Sequence, residues 1–136
     1  MSLKIRVIAP DKVVWDANAE EIILPSSTGQ LGILKGHIPL LTALDIGVMR
    51  VRLNKEWQPI ILLGGFAEVD NNNITILVNG AETISDSNID ILEAQENLEK
   101  ATILLSEAKT NKEKIEATQN LRKAKAKIQA ANVLNN

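Results

Sequence analysis

At 136 residues the chain has room for one domain and a small appendage, and a formal net charge of −2 supplies no general attraction to nucleic acid or anionic lipid. Hydrophobic residues make up 45% but aromatics only 2%, so a core can form and must be aliphatic. There is no cysteine, which excludes disulfides, zinc–thiolate sites and thiol nucleophiles, and no run approaches the roughly 18 apolar residues of a membrane-spanning helix.

Apolar Leu3, Ile5 and Val7 alternate with Lys4 and Arg6, the pattern of a strand buried on one face. Because the alternation starts at once, the opening residues read as folded chain, not as a signal or transit peptide. Pro10-Asp11-Lys12 makes a turn, and Val13-Val14-Trp15 starts the return. Residues 20–24 form another short strand, which is expected to stop at Pro25.

Residues 24–49 hold four of the seven glycines, two of the four prolines and the single histidine. Gly29, Gly32, Gly36 and Gly47 stand among apolar residues, so this segment reads as short strands joined by tight turns. Residues 47–53 alternate, with Met49, Val51 and Leu53 on one side and Val48, Arg50 and Arg52 on the other. Asn54-Lys55-Glu56 is a hairpin turn, and residues 57–63 make the next strand, where Pro59 argues for an edge or bulge. Gly64-Gly65 lets the chain bend before a strand over 66–69, Asp70-Asn71-Asn72-Asn73 turns it, and 74–78 is the last strand. Short strands at this spacing predict a sandwich or flattened barrel over residues 1–84.

The period changes after Ser85. Ser87 and Asp90 stand in the spacing of a capping box, and Ile91, Ala94, Leu98, Ala101, Leu105 and Ala108 then recur at spacings of 3, 4, 3, 4 and 3. Asn111 is expected as a left-handed C-cap after this helix. Ala117, Leu121, Ala124, Ile128 and Ala131 recur at 4, 3, 4 and 3, a second seam of the same grammar. Two such seams across a short break predict an antiparallel helical hairpin over residues 85–136, so the fold class is α+β: an antiparallel β-sandwich, then a two-helix hairpin. Alanine on alternate seam positions lets the helices approach closely but buries little area. Acidic side chains gather on the first helix and basic ones on the second, and the uncharged residues 132–136 read as a frayed end.

Three features invite a chemical reading. Gly29-Gln30-Leu31-Gly32 lacks the Gly-Lys-Ser/Thr ending of a phosphate loop and opens no helix, so it reads as a structural turn. His37 has no orienting carboxylate, reacting partner or metal-site spacing in its local motif, and reads as a packing or interface residue. The basic run over 122–127 is either a solvated helix face or a contact for phosphates or acidic protein. Nucleic acid is disfavoured by the overall acidity and the lack of accompanying aromatics. Nothing assembles a nucleophile, a base and an oxyanion site, so the chain reads as a non-enzyme without a cofactor.

The run over 28–41, Thr-Gly-Gln-Leu-Gly-Ile-Leu-Lys-Gly-His-Ile-Pro-Leu-Leu, followed by Thr42-Ala43-Leu44-Asp45-Ile46-Gly47, resembles the ε subunit of the rotary proton-translocating ATP synthases. Val14-Trp15, Met49-Arg50-Val51-Arg52, Gly64-Gly65-Phe66-Ala67-Glu68-Val69 and Ile74-Thr75-Ile76-Leu77-Val78 extend the likeness over essentially the whole length, and it is greatest to the chloroplast and cyanobacterial branch. The resemblance implies a rotor subunit whose sandwich binds the γ subunit and sits on the ring of c subunits. Thr28, Gly29, Gln30, Leu31 and Gly32, with the His37 turn, would then form the γ- and ring-facing end. It also implies a hairpin that lies on the sandwich or extends along γ toward the α and β subunits. There Arg122, Lys123, Lys125 and Lys127 would meet an acidic loop and restrain ATP hydrolysis. The expected place is the stromal side of the thylakoid membrane, or the cytoplasmic side in a cyanobacterium, as a peripheral protein. An alternative is a sensor whose hairpin closes on ATP. Family members that bind ATP carry Ile/Leu-Asp-x-x-Arg-Ala, whereas this chain has Ile89-Asp90-Ile91-Leu92-Glu93-Ala94, so Glu93 stands in the arginine position and repels a triphosphate.

Overall fold

A computed structural model describes residues 2–83 and 91–134. Among them are eight strands: β1 (Leu3–Ala9), β2 (Lys12–Ala19), β3 (Glu21–Ser26), β4 (Gly29–Leu34), β5 (Leu40–Leu53), β6 (Glu56–Asp70), β7 (Asn73–Val78) and β8 (Ala81–Thr83). Two helices follow, α1 (Ile91–Glu107) and α2 (Asn111–Leu134). The boundary expected at residues 84–85, the Ser87–Asp90 capping box and the final residues 135–136 lie outside the described residues.

The strands hydrogen-bond in the order β2-β1-β7-β6-β5-β3-β4, with β8 also on β6. Neighbours are antiparallel except β1 and β7, which run parallel. The long β5 and β6 pair along their whole lengths and belong to both layers of the sandwich. Their Leu40–Leu44 and Gly65–Asp70 ends carry β7, β1 and β2, and their other ends carry β3, β4 and β8. The two layers close on one aliphatic core, including Leu3, Ile5, Val7, Ile22, Leu24, Ile33, Met49, Leu62 and Ile76.

What lets two strands serve two layers is legible in their alternation. In β6 the core receives Ile60 and Leu62 before Gly64-Gly65, but Ala67 and Val69 after it. In β5 it receives Leu44 and then Met49 and Val51. The face turned to the core therefore switches in both strands at the same level, while Leu44↔Gly65 and Ile46↔Leu63 keep one register. A half-turn of ribbon twist without slippage does this, and Gly64 and Gly65 permit it at φ +81° and +152°.

Several expectations are corrected here. β3 does not stop at Pro25 but runs to Ser26, because its register on β5 shifts between Ile23 and Ser26. The ladder on that side is interrupted where proline has no N–H to offer. The segments over 57–63 and 66–69 are one strand, and β8 escaped notice because three residues carry no readable period. Pro59 is buried and pairs with Arg50 of β5, and the described pairing of β6 with β8 ends next to it at Ile60↔Thr83. The turns at Asn54-Lys55 and Asn71-Asn72 hold both central residues at positive φ, the mirror-image turn that matches strand twist.

The helical hairpin forms with the expected seam. Ala94, Ala101, Ala117, Ala124 and Ala131 are buried and Leu98, Leu105, Leu121 and Ile128 half-buried. Asn111 is not a left-handed C-cap; it opens α2, and Thr110 is the N-cap. The Glu113 amide donates to Thr110 Oγ1 at 3.1 Å, and the Glu113 carboxylate accepts from the Lys109 amide at 2.9 Å. The helix continues through Asn132 to Leu134, where fraying was expected.

Candidate functional site

The β3–β4 hairpin carries Thr28, Gly29, Gln30, Leu31 and Gly32 at its tip and along the free edge of β4. All except half-buried Leu31 are exposed. The tip is not a loose loop. Ser26, buried at 7% exposure, shares hydroxyl hydrogen bonds with Thr28 at 3.2 Å and with Thr42 of β5 at 3.1 Å. Its Oγ also accepts from the Thr28 amide at 3.3 Å, and the Ser27 amide donates to the Ala43 carbonyl at 3.1 Å. Gln30 does not reach outward as a free arm, because its Oε1 accepts from Arg50 at 2.8 Å.

His37 is not beside this tip. It follows the far end of β4, and an extended strand of that length separates its ends by about 17 Å. The His37 amide donates to the Leu34 carbonyl at 3.2 Å and its Nδ1 donates to the Ile38 carbonyl at 2.7 Å, so the ring closes a turn. Gly36, at φ +88°, completes that turn and donates its amide to Asn72 at 2.8 Å. The sequence placed the two turns together because they are close in the chain; the extended β4 between them sets them apart.

Sequence reasoning missed a surface on the outer face of the other layer. Val13, Ile8, Leu77, Phe66 and Ala43 are successive cross-strand partners on β2, β1, β7, β6 and β5. They form one apolar row across five strands. Phe66 is 57% and Leu77 52% exposed, and Leu41, two residues from Ala43 on the same face, is 70% exposed. An open groove of about 610 Å³ runs beside the row past Gly64, Gly65, Pro10 and Asn79. Parity held the signal: Ile74, Ile76 and Val78 face inward, so Leu77 must face out. Exposed apolar side chains aligned across five strands are the kind of patch that marks an interaction surface.

The second missed feature is the seat of α2. Besides its seam on α1, α2 buries Ala126 and Ala130 against Val48 of β5 and Ile61 of β6, with Leu63 at the margin. One helix is thus held between α1 and the sheet by alanine on both faces. Arg122, Lys123, Lys125 and Lys127 are all exposed in this docked position and, among the described residues, enter no ion pair. Among the described residues no carboxylate of α1 lies within ion-pair distance of them. Glu93 is exposed in the first turn of α1, while Asp90 lies outside the described residues. Among the described residues no cluster of His, Asp and Glu has metal-site geometry, and no helix is long and apolar enough to cross a membrane.

Residues 2–84 match the family described as ATP synthase, Delta/Epsilon chain, beta-sandwich domain, and residues 87–132 match its long alpha-helix domain. The chain is 76% identical, over all of both chains, to the chloroplastic ATP synthase epsilon chain of the alga Gracilaria tenuistipitata var. liui. It is 58% identical to the ATP synthase epsilon chain of the cyanobacterium Cyanothece sp., covering 96% of each. A chain in the cryo-EM structure of the Euglena gracilis mitochondrial ATP synthase OSCP/F1/c-ring superposes with a TM-score of 0.78, over 92% of this chain and 78% of that one. At 20% identity that likeness concerns the fold.

Proposed function

The chain belongs to the ATP synthase delta/epsilon chain family, and on that premise we propose that it is a non-catalytic subunit of the central stalk, turning with the rotor and restraining ATP hydrolysis through α2. The apolar row over Ile8, Leu77, Phe66 and Ala43, with its groove, is the face for the γ subunit. The tip at Thr28–Gly32 meets the c ring. Because His37 stands at the other end of β4, its contact is a separate one on the γ side. The site of action is the thylakoid membrane surface on the stromal side, or its cyanobacterial counterpart, reached through partners.

The observation that carries the regulatory part is the way α2 is held. Ala126 and Ala130 each place one methyl group against the sheet. Counting the Val48 and Ile61 side chains covered on the sheet as well as the two methyl groups, at about 0.8 kcal/mol per buried methyl or methylene group, such a seat is worth on the order of several kcal/mol. An acidic loop on a β subunit can offset that through several ion pairs to Arg122, Lys123, Lys125 and Lys127, each weak when exposed and stronger when partly desolvated. The helix is then a two-position element that both partners bias.

Replacing these four basic residues with alanine is expected to raise ATP hydrolysis by the assembled enzyme and to leave assembly intact. Rising salt should act in the same direction, since screening weakens the same contacts. The measurement is ATPase rate in reconstituted complexes over a range of ionic strength. Equal rates at low salt and equal subunit occupancy remove the basic face from the mechanism.

A further inference from the structure

We propose that Ser26 is a positioning residue that holds the β3–β4 tip in the one shape in which it engages the ring; this rests on the reading above that the tip is the ring contact. Among the described residues Ser26 is the one buried polar side chain, so its hydroxyl must be satisfied by the protein. Three partners satisfy it: the Thr28 hydroxyl at 3.2 Å, the Thr42 hydroxyl at 3.1 Å and the Thr28 amide at 3.3 Å. Two of these belong to the tip and one to β5, so the serine ties a turn at the sheet edge to an interior strand.

The tie is needed because the ladder is weakest there. Register between β3 and β5 shifts between Ile23 and Ser26, across the residue that lacks an amide donor, Pro25. Pro25 is also pressed close to β5, since a Cβ at Gly47 would lie 2.8 Å from the Pro25 Cβ. Beyond that point β3 rejoins β5 through the Ser26–Leu44 pair, with the Ser27 amide on the Ala43 carbonyl, and the Ser26 hydroxyl adds a side-chain tie to Thr42. Arg50 holds Gln30 from the other side of the break. The tip thus presents a fixed set of polar groups, the Thr28 hydroxyl, the Gln30 amide and the edge backbone of β4. That chemistry suits a polar loop of a ring subunit and not an apolar surface.

The test uses the full chain with Ser26→Ala, Ser26→Thr and Thr42→Val, assembled with γ and titrated with detergent-solubilised c rings. Ser26→Ala is expected to weaken ring attachment about tenfold, the scale of one ordinary hydrogen bond, with γ affinity unchanged. Ser26→Thr should restore most of the loss, and Thr42→Val should reproduce part of it. Amide exchange at residues 28–30 should quicken in Ser26→Ala while exchange in β1 and β7 stays as it was. Unchanged ring affinity in both Ser26→Ala and Thr42→Val overturns the proposal. A parallel loss of γ and ring affinity also overturns it, by making Ser26 an ordinary fold residue. Ring attachment of γ that does not depend on the wild-type chain refutes the reading of the tip itself, an outcome distinct from the other two.

Discussion

Gly65 is the residue on which the ribbon twist depends most. A Cβ there would lie 2.0 Å from the Leu77 carbonyl oxygen and 2.8 Å from the Val78 Cα, atoms of a paired strand that cannot swing aside. At Gly64 the nearest atoms would be 3.5 and 3.8 Å away, which is ordinary contact, leaving only the strain of φ +81°. Gly65→Ala is therefore expected to cost about 3 kcal/mol or more, and Gly64→Ala about 1. Urea unfolding of the two variants checks this, and equal losses contradict it. Arg52 shows another residue-scale balance. Its guanidinium lies 3.1 Å from Glu21 and 3.9 Å from Glu20 and stacks 5.8 Å from the centre of Trp57, yet Nε is buried without a hydrogen bond. Glu20 also accepts from the Lys55 amide at 3.1 Å, so this group pins the β5–β6 turn to the start of β3.

At the scale of elements, α2 is the informative one. It starts from a satisfied cap, packs one alanine face on α1 and sets the other on the sheet. Alanine allows close approach, so the seat is specific in shape and small in area, most of its apolar burial coming from Val48 and Ile61 on the sheet. Ala130 is fully buried against the sheet, so a larger side chain there adds volume to a packed contact. Ala130→Leu is expected to lift α2 from β5 and β6, because overpacking costs about 1–3 kcal/mol against a contact of similar size. Amide exchange along α2 should rise several-fold while the sandwich amides buried in the core keep their protection. If α2 exchanges as slowly as in the parent chain, the seat is stronger or more adaptable than so small a contact allows.

For the whole molecule the question is which part stands alone. The aliphatic core lies within the sandwich, and among the described residues the hairpin packs on its outer side, through the second cluster at Val48 and Ile61. A domain of roughly 85 residues buries on the order of 60% of its unfolded surface, enough for marginal independent stability. Truncation after Ser85 should therefore leave a chain with a cooperative thermal transition. Loss of any transition means that the α2 seat is part of the core's stability and not an attachment. On the proposed function, the same separation would let α2 leave its seat without disturbing the faces that γ and the ring would use.

The sequence by itself determined the α+β class, most of the strands, the paired turns at Asn54-Lys55 and Asn71-Asn72, and both helical seams. Each of these is a local period or a local dihedral preference, readable within a few residues. It also carried the family likeness, through motifs spread over the whole length. Tertiary structure alone decided three things. The seat of Ala126 and Ala130 was hidden because alanines off the seam look like helix formers, and only docking shows that they are buried. The row over Val13, Ile8, Leu77, Phe66 and Ala43 appears only when five strands from distant parts of the chain come into register. The separation of His37 from the Thr28 turn follows from β4 being extended, which turns nearness in sequence into distance in space. Periodicity reports which face of an element is apolar; what that face meets is set by pairing between residues far apart in the chain, and no local pattern encodes it.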